Sequence, residues 1–205
     1  MELDRSVELI AAVRDAVGPD VELYIEGHGR FGVEAAIRLV RAIEPFRPGW
    51  IEEPVPPENV DALREVTVAT SVPVAAGERW YSRHAFRRAL EIGAIRIAQP
   101  DIGHVGGLTE ARKIAAAADT HYVSVAFHNA ASPLIAEWLG HSGYDFVVID
   151  LQHGENNLDN VGVMLQAMSS TPATPVVLVP SNVPMYIQRV LDLGAYGVIV
   201  PQVNT

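Results

Sequence analysis

Cysteine is absent from the 205 residues, which excludes disulfide stapling and thiol chemistry. No apolar run approaches the roughly 18 residues needed to cross a bilayer, so no membrane span is expected. Met1-Glu2-Leu3-Asp4-Arg5 is not a basic segment leading into an apolar stretch, and no secretory signal is expected. Positive charge is scarce. Fifteen Lys and Arg stand against 25 Asp and Glu, and the net charge of -10 argues against a nucleic-acid partner. Arg83, Arg87 and Arg88 form a local basic cluster that reads as a solvated helix face. With 49% apolar and 20% charged residues, the composition is that of a soluble globular chain. The expectation is one cytoplasmic domain over residues 1–205, monomeric or homo-oligomeric.

Apolar positions at Val7, Ile10, Ala11, Val13 and Val17 follow a helical period, so the chain opens on a helix that Gly18-Pro19 ends. Strands are predicted at 21–26, 49–53, 73–77, 95–99, 122–128, 145–151, 175–179 and 197–201. Helices are predicted at 33–43, 59–70, 83–92, 108–118, 133–139, 157–168 and 183–193. Runs such as Phe146-Val147-Val148-Ile149 are apolar throughout, as strands covered on both faces are. Eight strand and helix units of about 26 residues predict an α/β fold, a closed (β/α)8 TIM barrel with a helix first. An open doubly wound sheet fits less well, because Glu26-Gly27-His28-Gly29-Arg30 lacks the G-x-G-x-x-G fingerprint.

Three predicted strands end in acids at one interval: Glu26, Glu52 and Glu78. Equal spacing predicts equivalent heights on neighbouring parallel strands about 4.8 Å apart, a geometry in which three carboxylates can converge on a hard cation such as Mg2+. Asp101 and His128 end the next two strands and form a candidate dyad, in which the carboxylate orients an imidazole for proton transfer. A cation beside it would stabilise the charge formed when a proton leaves a carbon next to a carboxyl group. Each acid alone also has a structural reading, since acids complement the positive end of a following helix. His84, His104, His121 and His141 read as surface or turn residues.

His28-Gly29-Arg30, Ile51-Glu52-Glu53-Pro54, Gly77-Glu78-Arg79, Gln99-Pro100-Asp101, Gly106-Gly107 and His128 together resemble the enolase superfamily, nearest to its sugar-acid dehydratases of the galactonate dehydratase type. The likeness covers roughly residues 1–131. It implies that Glu26, Glu52 and Glu78 are magnesium ligands, that Asp101 and His128 form the dyad, and that His28 is the acid assisting loss of a hydroxyl. The first metal position of that family is normally Asp, and Glu26 is longer by one methylene, about 1.5 Å. The family's N-terminal capping domain is not in this sequence.

From about Ser132 the chain resembles another family, the metal-dependent 2-keto-3-deoxyglucarate and dihydroxyheptenedioate aldolases, through Ile149-Asp150-Leu151-Gln152-His153-Gly154 and Val200-Pro201-Gln202-Val203. That likeness implies a base role for His153. Its substrate arginine is replaced by Leu178. Five units of one barrel and three of another make eight, so the expectation is an engineered chimera, joined at 131/132, that keeps a relic metal site without robust native activity. The alternative is a magnesium-dependent dehydratase acting on a sugar-acid ligand. Aldol cleavage of a keto acid through His153 is the third reading.

Overall fold

The computed structural model describes residues 2–128, 132–153 and 156–201. Gly154, Glu155, Gln202 and Val203, which contribute to the second resemblance, lie outside the described residues. The chain forms two compact units, residues 1–126 and 127–205.

The first unit opens with α1 (Glu2–Val17) and continues as β1 (Tyr24–Glu26), α2 (Val33–Ile43), β2 (Trp50–Glu52), α3 (Val60–Val68), β3 (Val74–Ala76), α4 (Arg83–Glu91), β4 (Ile97–Ala98), α5 (Ile102–Val105), α6 (Leu108–Thr120) and β5 (Ser124–Val125). Its strands form a parallel sheet in the order β1-β2-β3-β4-β5. Ile51, Val74 and Ala75 are fully buried in that sheet, and Leu39, Ile43, Phe86 and Ile114 are buried from the helices. Asn59 starts α3 by accepting from Ala62 N at 3.1 Å, which satisfies one of the helix's free N–H groups. The basic cluster on α4 is paired with acids, Arg83 with Glu110, Arg87 with Glu91 and Arg88 with Asp61.

The second unit carries α7 (Pro133–Gly140), β6 (Phe146–Asp150), α8 (Leu158–Met168), β7 (Thr174–Leu178), α9 (Pro184–Asp192) and β8 (Gly197–Ile199). Its parallel sheet has the order β6-β7-β8. Ile149, Val161, Met164, Val177 and Val190 are its buried apolar centre. Ser132 caps α7 with Pro133 in the first turn, and Asn157 and Asn160 form a reciprocal capping box on α8.

The α/β class, the leading helix and, among the described residues, eight parallel strands of a (β/α)8-type order follow the sequence expectation. The eight strands are shared between two sheets of five and three, where the sequence reading had a single ring. The first ladder tapers from three paired residues between β1 and β2 to two between β4 and β5, and the second begins afresh with five between β6 and β7. Helix α5 and a 3-10 turn at Glu44–Phe46 were not predicted. The register also differs from one strand pair to the next. Glu26 pairs directly with Glu52, an offset of 26, but Ile51 pairs with Val74, an offset of 23. Glu52 pairs with Ala75, so Glu78 falls beyond β3 instead of level with Glu52.

No helix among the described residues is long and apolar enough to cross a membrane. Replacing Ile51, fully buried at the centre of the first sheet, leaves a cavity. Ile51→Ala should cost about 2–5 kcal/mol of stability in urea unfolding monitored by circular dichroism.

Candidate functional site

In the first unit the register sets Glu26 opposite Glu52, at the ends of strands whose Tyr24 and Trp50 rings stack at 3.7 Å. Glu52 Oε2 accepts from Gln99 Nε2 at 2.6 Å and from Trp50 Nε1 at 3.3 Å, so its carboxylate is held by two donors. Gln99 is buried, and its Oε1 is a buried oxygen without a hydrogen-bond partner among the described residues. Glu78 is also buried. It follows Gly77, whose φ of +133° and close approach to the Phe86 ring, 2.5 Å from where a Cβ would sit, leave no room for a side chain. Arg79 Nε lies 3.7 Å from Glu78 Oε1, and the His104 ring Nδ1 lies 2.8 Å from Glu78 O. His28 sits in the left-handed region at φ +51°, and its backbone N–H donates to the Glu26 carboxylate.

Loss of water around the carboxyl, then the negative charges of Glu52, Glu78 and Glu53, push Glu26 up to about 9, while the His28 N–H pulls the other way. As a residue Glu26 stands at an exposed rim, where solvent screens part of that penalty. The acids therefore sense one another. An all-oxygen set is the type a magnesium ion accepts, and a cation there would relieve the crowding.

The second unit holds another set. Asp150, at the end of β6 and fully buried, accepts from Gln152 N at 2.6 Å and His153 N at 3.0 Å through Oδ1. Its Oδ2 lies 2.8 Å from His153 Nδ1 and 3.8 Å from His128 Nε2. His128, Asp150 and His153 each offer a ligand atom, all within 4.8 Å of one another, a cluster able to coordinate a divalent metal such as Mg2+. Among the described residues it is the set that meets this spacing.

Asp101, the expected dyad partner, is buried in the first unit and caps α5, its Oδ1 accepting from Gly103 N at 2.7 Å and His104 N at 3.1 Å. His128 lies in the second unit, with Asp150 as the carboxylate nearby. Sequence reasoning quoted Asp150 without giving it a role. The signal available was an acid at a strand end with an imidazole three residues on, a spacing that one turn closes. His104 was read as a surface or turn residue, and it is exposed, yet its ring meets the backbone carrying Glu78.

Comparison with known proteins fits this geometry. The family model described as Enolase C-terminal domain-like matches residues 1–160, and the chain belongs to that family. A model for HpcH/HpaI aldolase/citrate lyase matches residues 123–205. The D-galactonate dehydratase of Variovorax paradoxus is 45% identical over 132 residues, covering 64% of this chain and 35% of that protein. The D-gluconate dehydratase of Thermoproteus tenax is 42% identical over 133 residues, covering 65% of this chain and 27% of that protein. Among solved structures, the 3,6-anhydro-D-galactonate cycloisomerase of Zobellia galactanivorans has a TM-score of 0.69 and 35% identity, covering 78% of this chain and 46% of that one. The chain thus spans about a third of the length of the curated relatives it matches.

These findings correct the expectation of an engineered chimera without activity of its own. The enolase-type match runs through the expected junction at 131/132 to residue 160, so one family describes both sides of it. Natural dehydratases carry the likeness, and neither a de novo origin nor an inert scaffold stands.

The raised Glu26 carboxyl has a consequence for stability. Its folded pKa lies above the ordinary value of 4.5, so this contribution is full below about 4.5 and is lost as pH rises through about 9. In buffer with chelator, the urea midpoint of the wild type should fall between about pH 6 and about pH 9, and Glu26→Gln should flatten that slope. A slope identical in both proteins would show that Glu26 does not titrate there.

Proposed function

We propose that this chain acts as a magnesium-dependent hydro-lyase on a small sugar acid, removing water to leave a 2-keto-3-deoxy acid. The observation that carries the reading is the meeting of strand-end carboxylates, Glu26 opposite Glu52 with Glu78 just beyond β3, close enough for their charges to raise Glu26. Membership of the enolase C-terminal domain-like family and the likeness to galactonate and gluconate dehydratases support it.

A proton next to a carboxyl group leaves only when a base takes it and the resulting charge is met by opposite charge. Glu26, Glu52 and Glu78 would hold the ion, which when bound supplies positive charge to the substrate carboxyl group. Gln99 and Trp50 fix Glu52 in advance, so little rearrangement is needed on binding. We assign His128 as the base that takes the proton from C2. The motif gives its orientation to Asp101, and Asp150 is the carboxylate seen beside it. His28 is assigned as the acid that protonates the C3 hydroxyl as it departs as water; the bond from its own N–H to Glu26 holds that turn. The enol that remains converts to the keto acid. His153, bonded to Asp150, is the base in an aldolase reading, which the match over residues 123–205 favours.

Incubation with a panel of aldonates and magnesium should give a 2-keto-3-deoxy acid, trapped as its semicarbazone. Glu52→Gln and His128→Ala should each lower the rate by about 10²- to 10⁴-fold. Pyruvate release from 2-keto-3-deoxy acids with no dehydration of any aldonate would favour the aldolase reading instead.

A further inference from the structure

The second acid of Glu52-Glu53-Pro54 has no part in the mechanism above, yet it is 1% exposed. Where β2 ends, Glu53 turns to φ +41°, in the left-handed region that a glutamate rarely adopts. Its side chain takes partners other than those of Glu52. Such a conformation persists only where surrounding contacts hold it, and here five hydrogen bonds with four residues do. Glu53 N donates to Ala75 O at 2.9 Å, extending the ladder with β3 by one residue. Its carbonyl oxygen accepts from Gly29 N at 2.6 Å. Oε1 accepts from Gly77 N at 3.0 Å, and Oε2 accepts from Arg79 Nε at 2.9 Å and Nη2 at 2.5 Å.

These partners belong to the turns that carry the candidate metal ligands. Gly29 follows Glu26 and His28, Gly77 and Arg79 flank Glu78, and Glu52 is the adjacent residue. Arg79 completes the tie, since its Nε also lies 3.7 Å from Glu78 Oε1. Its guanidinium packs so closely over Gly29 that a Cβ there would be 2.2 Å from Nη2. A buried carboxylate is costly unless it is paired and hydrogen-bonded, and Glu53 is both. The charge-assisted fork from Arg79 also fixes direction, which a lysine would not do.

We propose that Glu53, paired with Arg79, is a positioning residue: it ties the turns after β1, β2 and β3 together and so sets the separation of Glu26, Glu52 and Glu78 for a divalent cation without touching the ion itself. This rests on the reading of those three acids as the magnesium site. Partners behind a metal's own ligands commonly change affinity by about 10- to 100-fold when removed.

The test is magnesium binding by isothermal titration to the full chain, with manganese(II) electron paramagnetic resonance as a second readout, well below each variant's thermal transition. Glu53→Gln keeps the shape and loses the charge; we expect magnesium affinity to fall about 10- to 100-fold. Arg79→Lys keeps the charge but loses the fork, and should fall by less. The manganese spectrum should broaden in both, because the ligands are less well fixed. A purely structural role would lower the thermal midpoint and leave affinity and spectrum unchanged. If Glu52→Gln abolishes binding while folded Glu53→Gln binds within twofold of wild type, the positioning proposal is overturned and the metal site stands. If Glu52→Gln binds as tightly as wild type, the metal-site reading fails and this proposal with it. Should Glu53→Gln not fold, Arg79→Lys decides: unchanged affinity and spectrum overturn the proposal.

Discussion

Glu26 and Glu52 face one another across a parallel ladder whose strands lie about 4.8 Å apart. Two ionised carboxylates at that spacing repel, and the repulsion is met by a proton, by donors or by a cation. Much of the local structure in the first unit answers this one demand. The His28 N–H points at Glu26, the Gln99 amide and the Trp50 indole point at Glu52, and Arg79 stands beside Glu78.

The two clusters differ in chemistry. The acids of the first unit are all-oxygen donors, matched to a hard ion that prefers octahedral oxygen. His128, Asp150 and His153 in the second unit mix imidazole with carboxylate, a set that accepts a wider range of divalent ions. Each unit is built so that a strand ends in the acid: β2 in Glu52 and β6 in Asp150.

Most of the element order could be read from hydrophobic period, because helices such as 33–43 and strands such as 146–150 have apolar patterns of one kind throughout. The acids of the first unit stand out by their fixed interval, but that interval did not give the register, since Glu52 pairs with Ala75 and not with Glu78. What escaped has a common cause. Register depends on the length of each connection, and the offset of 23 between β2 and β3 against 26 between β1 and β2 leaves no trace in hydrophobic period. Helix α5 is four residues long, too short for a pattern, and its presence gives the Asp101 carboxylate a capping task. The strong likeness of residues 132–205 to a second family suggested a seam, but the enolase-type match passes through that boundary. Glu53 was read as part of a motif and Asp150 as part of a stretch, because burial and a left-handed turn cannot be seen in residue identity.

The indole of Trp50 lies stacked on Tyr24 with its N–H on the Glu52 carboxylate. An indole's emission responds to nearby charge, and here the charge belongs to an acid of the proposed site. The protein therefore carries an intrinsic optical reporter at the rim of that site. An ion at Glu52 would change that indole's surroundings, and with no label attached the change would add to the emission of Trp80 and Trp138.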